Sequence, residues 1–596
     1  MCGIGGLLTF EGKNLSCYED NVSKLSKSLK SRGPDAKGEY INHDLGIFFV
    51  HRRLSIIDLD DRSNQPLFSN CRKYCIVFNG EIYNYKDLRK KLISMGEVFS
   101  TNGDTEVVLK MFIKFGPDCL SLLRGMFAFA ILNTDNKEVF LARDAYGIKP
   151  LYLAGMDDGW VFSSQVKAIV SSGMISSEID QEFREYFTLL GSIPEPGTWY
   201  KNIQSVESGQ YQILHPSSGK ITKNKYCDIS SLWINEKKNF KKINIQKYIT
   251  EAVKESLENH LVADVPLGVF LSGGIDSSVI LTLMNEAGIK NIKAITVVYD
   301  EFKGTEADEE PLAKKISNKL DTELFIKKVT KDEFIKDLPK ILRDMDQPSI
   351  DGINTWYASK AAKELGLKVV LSGIGGDELF YGYRSFYYLP RLINLTKIIS
   401  LVPFLPSLIK FFLRSRAKKT DNNRWLSSLD WLMSAEGSWL LRRSVFSIYD
   451  LNQLYENKVE LDIDRFSAKD FIKKFVKSIS DSYFIALAQI ESSMYLKNQL
   501  LRDADWASMS HGVEIRTPLV DKFLLEKIAP FATDLYKFKN KLLLTRVTQI
   551  PLPSEIVSKK KTGFGIPVMK WLYEEGLIRK PSSSKEFANF IMNSYE

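Results

Sequence analysis

The sequence of 596 residues predicts an α+β domain followed by an α/β domain built on a doubly wound parallel sheet with added helices. Apolar, strand-like runs alternate with helical segments in the C-terminal half, and this alternation is typical of a parallel sheet covered by helices. A glycine-rich turn joins one of these strands to the next helix, at the sheet edge where such folds bind ligands. The chain is long enough for two or more domains.

A polar stretch predicts the boundary between the two domains. Residues 215–242 are rich in Lys, Ser and Asn, and they follow Gly209–Leu214, which has the pattern of a closing strand. We therefore expect a first domain over residues 2–214, a linker over 215–242 and a second domain over 243–596.

Composition argues against several classes of function. The formal net charge of +8 is modest for this length and is expected to be spread along the chain, so nucleic acid is not a predicted partner. The 6 cysteines, from Cys2 to Cys227, form neither a disulfide framework nor the two pairs of a zinc site. The 5 histidines are too widely spaced for a metal cluster. Because no basic and apolar leader opens the sequence, we expect a cytoplasmic protein.

The glycine-rich turn spans Leu271–Ser278 and has the composition of an anion site. It lies between an apolar run at 266–270 and a helix-like segment at 277–284. Its glycines let backbone N–H groups approach a ligand, and the following helix N-terminus adds partial positive charge. The spacing is neither the Walker pattern nor the dinucleotide fingerprint. It resembles the pyrophosphate loop of enzymes that adenylate a substrate; the alternative is a plain turn.

A cysteine at position 2 predicts a nucleophile at the start of the mature chain. Removal of the initiator methionine would free the α-amino group of Cys2, which could then act as the base for its own thiol. Six further segments follow in order: Arg32–Asp35, His51–Ile56, Phe78–Asn84, Thr101–Glu106, Gly125–Ala130 and Arg143–Tyr152. Together they resemble a class II glutamine amidotransferase domain. The resemblance implies a sandwich of stacked antiparallel sheets between helices, the N-terminal-nucleophile fold.

The same resemblance implies roles for individual residues. Cys2 would attack glutamine, while the Asn79 side chain and the Gly80 N–H would hold the oxyanion. Arg53 would bind the glutamine carboxylate and Asp104 its ammonium group. The implied glutamine-binding set is Arg53, Leu54, Asn79, Gly80, Glu81 and Asp104.

Each of these residues also has a structural alternative. Asn79-Gly80 is a common hairpin turn, and Glu81 could be a solvated charge. His51 is expected to be a packed core histidine, because the terminal amine of Cys2 already fills the role of base.

The C-terminal half continues with two more strand-like runs. Ile292–Tyr299 is the second strand, and Val369–Leu371 is the third and leads into Ser372–Phe380, a second glycine loop. Two such loops can share one nucleotide. This half resembles the synthetase domain of asparagine synthetase, and the order of the two domains matches that family.

That resemblance implies an ATP site and names the residues that would form it. Leu271 and Val297 would border the adenine, and Asp276 and Asp377 would bind Mg²⁺ together with the triphosphate. The implied ATP-binding set is Leu271, Ser272, Gly273, Gly274, Asp276, Ser277, Val297, Ser372 and Gly373. Lys561 would neutralise the leaving pyrophosphate, with a solvated lysine run as the alternative. ATP would act as a co-substrate together with Mg²⁺, and no tightly bound cofactor is expected. The family resemblance also implies a homodimer.

The acceptor is where the sequence departs from the family pattern. Ile374 stands where these enzymes commonly carry Glu, and isoleucine cannot accept a proton from ammonia. The family carries Lys-x-Asp-Arg before Ala507, where this chain has Asp503-Ala504-Asp505-Trp506. Segment 346–355, expected near the acceptor site, also differs from the pattern of the best-known aspartate enzymes. The carboxylate acceptor favoured by the resemblance is aspartate; a sugar uronic acid is the alternative. A protein that keeps the fold without catalysis is a third hypothesis. Arg32 and Met126 are implied to line an ammonia passage.

Residues 389–416 form an apolar segment interrupted by Pro403 and Pro406 and flanked by basic residues. It is too short and too broken for a transmembrane helix. We expect a buried helical hairpin, with contact to a membrane or a membrane-bound partner as the alternative.

Overall fold

The computed structural model describes residues 2–10, 13, 15–234, 244–420, 429–455, 466–539, 541–559 and 565–595. The first half is built on two antiparallel six-stranded sheets, with strand orders β10-β8-β9-β1-β3-β2 and β12-β11-β7-β6-β5-β4. Their strands are β1 Gly3–Thr9, β2 Ala36–Asn42, β3 Ile47–Arg53, β4 Leu67–Phe68, β5 Tyr74–Ile82, β6 Gly125–Asn133, β7 Val139–Arg143, β8 Tyr152–Met156, β9 Gly159–Ser163, β10 Ile203–Ser205, β11 Gln210–His215 and β12 Lys220–Lys225.

A dry apolar layer holds the two sheets together. Ile4 and Phe49 of the first sheet pack against Val77 and Ala130 of the second, and all four are fully buried. The helices of this half are α1 Glu19–Ser28, α2 Tyr85–Ser94, α3 Asp104–Phe115, α4 Val166–Ser172, α5 Gln181–Leu190 and α6 Ile229–Leu232. Helices α1 and α4 contact the first sheet, and α3 contacts the second. The predicted sandwich of stacked sheets between helices is confirmed.

The second half is built on a parallel five-stranded sheet in the order β15-β14-β13-β16-β17. Its strands are β13 Leu267–Phe270, β14 Lys293–Val298, β15 Glu323–Lys328, β16 Val369–Leu371 and β17 Glu514–Arg516, and all neighbours pair in parallel. Strands β13 and β16 are central neighbours, so the two glycine loops that follow them leave the same edge of the sheet. The predicted α/β domain is confirmed.

Helices surround this sheet and extend beyond it. They are α7 Ile245–His260, α8 Ile275–Glu286, α9 Glu310–Lys319, α10 Lys331–Asp344, α11 Ile353–Glu364, α12 Gly376–Leu379, α13 Ser385–Ser400, α14 Leu405–Thr420, α15 Ala435–Arg443, α16 Ile448–Leu454, α17 Ala468–Phe475, α18 Tyr483–Ile490, α19 Arg502–Met509, α20 Lys522–Ile528, α21 Ala532–Lys537, α22 Leu542–Thr545, α23 Ser554–Ser558, α24 Val568–Glu574 and α25 Ser584–Asn593. A π-helical segment, Glu491–Leu501, joins α18 to α19.

Two expectations differ from the structure. The predicted linker, 215–242, begins with sheet-forming residues, because β12 pairs along its whole length with β11. The segment 389–416 is a helical hairpin of α13 and α14, but the expectation that it is buried is wrong: Leu401, Phe404 and Phe412 are exposed. No helix in the described part of the chain is long and apolar enough to cross a membrane.

Candidate active sites

The first site is centred on Cys2, which directly precedes β1. The Cys2 backbone nitrogen donates a hydrogen bond to Asn79 Oδ1 at 3.1 Å, and both residues are buried. Asn79 and Gly80 lie within β5, paired with Ala128 and Phe127 of β6, so they are not a hairpin turn. The strand pairing, rather than a turn, places the Asn79 amide beside the cysteine.

The Asn79 amide is suited to binding an anion. Its Nδ2 group is buried and has no hydrogen-bond partner among the described residues. A buried, unpaired N–H costs free energy unless a ligand satisfies it, and an oxyanion is such a ligand. Gly80 is required by close packing, because a Cβ atom there would lie 2.2 Å from the Met126 carbonyl oxygen.

The surroundings of the Cys2 thiol act on its pKa in opposite directions. Burial raises the pKa, since the thiolate loses hydration. A hydrogen bond from the Leu54 backbone and the positive charge of Arg53 lower it, while Glu81 raises it. The structure therefore brings Leu54, Arg53 and Glu81 within reach of the thiol.

Hydrogen bonds to the backbone hold both Arg53 and Asp104 in place. The Arg53 guanidinium donates to the backbone carbonyls of Asp58 and Asp60 and to Asn64 Oδ1, which fixes its orientation. Asp104 begins α3 and accepts a hydrogen bond from the Ile82 N–H at 2.9 Å. Burial raises the pKa of Asp104 to about 6, so a bound ammonium group would favour its ionised form.

Two other residues of this half, His51 and Glu81, are buried and have polar groups of the protein as neighbours. His51 Nε2 lies 3.2 Å from the Phe78 carbonyl, and burial lowers the pKa of His51 to about 3. That pKa keeps the imidazole neutral, as expected for a core histidine. Glu81 is also buried and lies 3.9 Å from Arg516 of the second half, so the solvated-charge alternative is wrong.

The second site lies where the two glycine loops meet. Gly273, with φ +60°, packs against Leu312, and a Cβ at Gly373 would lie 2.7 Å from Asp276 Cβ. Ser277 Oγ accepts a hydrogen bond from the Ser272 N–H at 3.2 Å, which ties the first loop to the start of α8. The loops therefore form one cleft, with Asp276 at their contact.

Other members of the implied ATP set line the adjacent strand ends. Leu271 donates its N–H to Ile295 and accepts from Thr296 Oγ1, so it is fixed beside β14, where Val297 is buried. Ser372 donates its N–H to the Arg516 carbonyl at 2.8 Å. These contacts place Leu271, Val297 and Ser372 around one edge of the sheet.

Lys541 is a residue of this site that the sequence interpretation missed. Its Nζ atom lies 2.5 Å from Asp276 Oδ2 and 2.5 Å from Asp377 Oδ1. Burial alone would lower the pKa of Lys541, but the two carboxylates raise it above its usual value, so the ammonium stays charged. Its context, immediately before the short helix α22, contains no recognisable motif that could have identified it. Lys561, the predicted lysine, lies outside the described residues.

Comparison with known proteins identifies both halves. Residues 1–227 match the glutamine amidotransferase domain family, and residues 248–581 match the asparagine synthase family. Glutamine-hydrolysing asparagine synthetase 1 of Bacillus subtilis (strain 168) is 32% identical to this chain, over 96% of the chain and 88% of that protein. The chain belongs to the glutamine-hydrolysing asparagine synthetase family.

Further relatives show the breadth of this family. A putative glutamine-hydrolysing asparagine synthetase of Mycobacterium bovis is 29% identical over 92% of this chain and 84% of that protein. A fungal protein of Gibberella zeae named amidase chry2 is 30% identical over 65% of this chain and 60% of its own. Family membership makes this protein a glutamine-dependent, ATP-using ligase.

Two residues of the unusual segment 346–355, Ile350 and Asp351, line a cavity of about 220 Å³. Asp351 and Arg442 both border this cavity, together with Tyr495 of the π-helical segment. The Arg443 guanidinium stacks over the Tyr495 ring at 3.5 Å and over the Tyr383 ring at 4.8 Å. The cavity thus combines acidic and basic groups.

The ring contact of Arg443 with Tyr383 and one hydrogen bond connect this cavity to the second glycine loop. The Tyr383 hydroxyl donates to Glu378 Oε1 at 2.7 Å, and Glu378 follows Asp377 directly on α12. Burial, with a contribution from Asp377, raises the pKa of Glu378 to about 7. Ile374 is partly buried against the main apolar core. A carboxyl group is therefore present four residues after the position at which the family pattern has one.

One buried arginine of this synthetase-family chain joins the Cys2 site to a helix of the second half. Arg32 Nε donates to the Cys2 carbonyl at 3.1 Å, and its two terminal nitrogens bind Asp505 of α19 at 2.7 and 3.0 Å. Lys149 Nζ lies 3.9 Å from the same carboxylate. Asp505 keeps the aspartate of the family motif, whereas Asp503 and Trp506 depart from it, so the contact between the halves is made by the matching residue.

Proposed function

We propose that the protein amidates a carboxylate, with aspartate as the favoured acceptor, using ammonia released from glutamine at Cys2. The observation that carries this proposal is Arg32, because one buried side chain contacts the Cys2 backbone and a helix of the synthetase half. Ammonia released beside Cys2 would be protonated in bulk water, so a closed contact between the halves favours its transfer.

The glutaminase step would follow acyl-transfer chemistry. The Cys2 thiolate attacks the glutamine amide carbon, and the oxyanion is held by Asn79 Nδ2 and the Gly80 N–H. Ammonia leaves as the thioester forms, and water then hydrolyses the thioester to glutamate. Arg53 and Asp104 would hold the two charged ends of the amino acid.

The synthetase step would form an acyl-adenylate. The acceptor carboxylate attacks the α-phosphorus of ATP and pyrophosphate leaves; ammonia then attacks the acyl carbon and AMP leaves. Asp276 and Asp377 fit a site for Mg²⁺, because hard carboxylate oxygens converge there on a single point, now held by the Lys541 ammonium. When bound with ATP, Mg²⁺ would neutralise phosphate charge. Lys541 would stabilise the negative charge that develops on the departing pyrophosphate.

Glu378 is our proposed proton acceptor for the amination. It is buried, and its raised pKa of about 7 matches the pH at which a general base is most effective. Unlike Ile374, it can take the proton that ammonia loses when it attacks the acyl-adenylate.

Aspartate is favoured over a uronic acid by the charges around the cavity. An amino acid acceptor carries an ammonium group and a second carboxylate, which Asp351 and Arg442 could bind respectively. A uronic acid has no ammonium group for Asp351. The contrary observation is Ile374, and a relative named an amidase shows that names within the family vary.

The test supplies glutamine, ATP, Mg²⁺ and aspartate and measures asparagine, AMP, pyrophosphate and glutamate. We expect all four products from the native protein, and no glutamine-dependent asparagine from Cys2→Ala, which should still use ammonium. ADP in place of AMP would contradict the adenylation. Active glutaminase without asparagine, but with an amidated uronic acid, would instead support the second acceptor. The domain limits, Lys561 and the homodimer stay predictions.

A further inference from the structure

The helical hairpin of α13 and α14 exposes an apolar surface that the proposed reaction does not use. The first part of α13 packs on the protein through Phe386, Leu389 and Ile393. From residue 397 to residue 416, none of the described side chains is buried. The large exposed apolar residues of the hairpin include Ile398, Leu401, Phe404, Leu408, Phe411 and Phe412.

The most exposed of these side chains lie at the tip of the hairpin. Leu401 is 81% exposed and Phe404 is 88% exposed, far more than is usual for side chains of this size. On α14, Leu408, Phe411 and Phe412 have the i, i+3, i+4 spacing of a single helix face. The tip and this face together expose large apolar side chains, and exposed apolar surface of this extent commonly marks an interaction site.

The charge of the hairpin has one sign. Between residues 379 and 420 there are 8 Lys and Arg residues and no Asp or Glu. The expectation that the net charge of +8 is spread along the chain is therefore wrong, since this one segment carries as much positive charge as the whole protein has in excess. Arg391 and Lys397 are exposed on α13, and Arg416 is exposed on α14.

We propose that this hairpin docks the protein onto an anionic lipid surface, with Leu401 and Phe404 inserted among the acyl chains and the basic residues at the headgroups. Amphipathic helices with apolar and basic faces bind membranes in this way. A second copy of the chain is a poorer occupant, because symmetrical pairing would bring the two basic segments together. The hairpin would lie at the interface, since neither helix can span the bilayer.

Docking would place the synthetase site at a defined distance from the membrane. Helix α13 has 16 residues and begins at Ser385, shortly after the second glycine loop, so the tip lies about 24 Å along the helix axis from the start of α13. This inference does not depend on which carboxylate is amidated.

The experiment is co-sedimentation of the full-length protein with phosphatidylcholine vesicles, with and without phosphatidylglycerol. We expect binding only to the vesicles that contain phosphatidylglycerol. The double variant Leu401→Ser, Phe404→Ser should bind about tenfold more weakly, because two large apolar side chains are lost. The matched control is Val98→Ser, which removes an equally exposed apolar side chain, 74% exposed, from the first half.

The charge contribution is tested separately. Arg391→Glu should weaken binding to phosphatidylglycerol vesicles, whereas Lys24→Glu, on an exposed part of α1, should not. Glutaminase activity, expected unchanged in every variant, reports that the chain is folded. Absence of binding by the native protein, or equal binding by the tip variant, would overturn the proposal. Concentration-dependent dimers without lipid that are lost in the tip variant would also overturn it, in favour of a second copy.

Discussion

At the scale of single residues, the Lys541 ammonium links the two glycine loops of the proposed ATP site through Asp276 and Asp377. It lies between two carboxylates that would otherwise repel each other. We expect Lys541→Met to slow the formation of AMP and pyrophosphate about 10²–10³-fold, the usual cost of losing one charge-stabilising group. Glutamate release by the first half should be unaffected.

The control for this substitution is Lys537→Met, which removes an exposed lysine from the neighbouring helix α21. Pyrophosphate release is measured with ammonium as the nitrogen source, so that glutaminase activity does not enter. A rate for Lys541→Met equal to that of the control would remove this lysine from the mechanism.

If Glu378 accepts the proton, the yield of amide per glutamate should depend on pH in a direction that its pKa fixes. Its pKa is raised from 4.5 to about 7, so the carboxyl is mostly protonated at acid pH and becomes an effective base as the pH rises through that value. The yield of amide per glutamate should therefore fall below about pH 7. In Glu378→Gln the yield should be low at every pH, by about 10²-fold or more.

The measurement uses glutamine as the donor, because the protonation of free ammonium would itself change with pH. Glutamate released in the same reaction serves as the internal reference. The exposed Glu364→Gln is the control. A pH profile unchanged by Glu378→Gln would contradict the role of proton acceptor.

At the scale of elements, β5 shows both the strength and the limit of sequence interpretation. The apolar run Cys75–Phe78 has the composition of a buried strand, and the observed strand extends from Tyr74 to Ile82. The Asn79-Gly80 pair is also typical of a hairpin turn, and the local sequence does not reveal which segment packs against the glycine. Pairing with β6 decides it: Gly80 is needed for close approach to Met126.

Gly80→Ala should therefore destabilise the first half. Its Cβ would meet the Met126 carbonyl, and overpacking of this kind typically costs about 1–3 kcal/mol. We expect a lower thermal midpoint for the amidotransferase half and loss of glutaminase activity, since Asn79 would shift with the strand. Gly155→Ala on β8 is the matched control, because a Cβ there meets no atom within 4 Å. Equal midpoints for the two variants would refute the packing argument.

At the scale of the whole molecule, local motifs predicted the folds of both halves and supplied candidate residues for both sites, whereas the contacts between distant segments were not predictable. Lys541 lies 265 residues from its partner Asp276. The exposed hairpin has the same apolar content as a buried one, so its exposure depends on what packs against it. Arg32 was implied as a residue of the passage, but its partner, Asp505, follows only from how the two halves pack.

The contact between Arg32 and Asp505 leads to a prediction about coupling. In Arg32→Met, Asp505 keeps Lys149 at 3.9 Å, so the fold should survive while the link from Cys2 to α19 is lost. Ammonia should then escape to solvent. We expect the yield of amide per glutamate to fall several-fold, with glutaminase activity within about tenfold of the native rate. Lys368→Met, which breaks the partly exposed Lys368–Asp35 pair between the halves, should leave the yield unchanged. If both variants lose the same yield, general loosening of the interface explains the effect; if neither does, ammonia does not depend on Arg32.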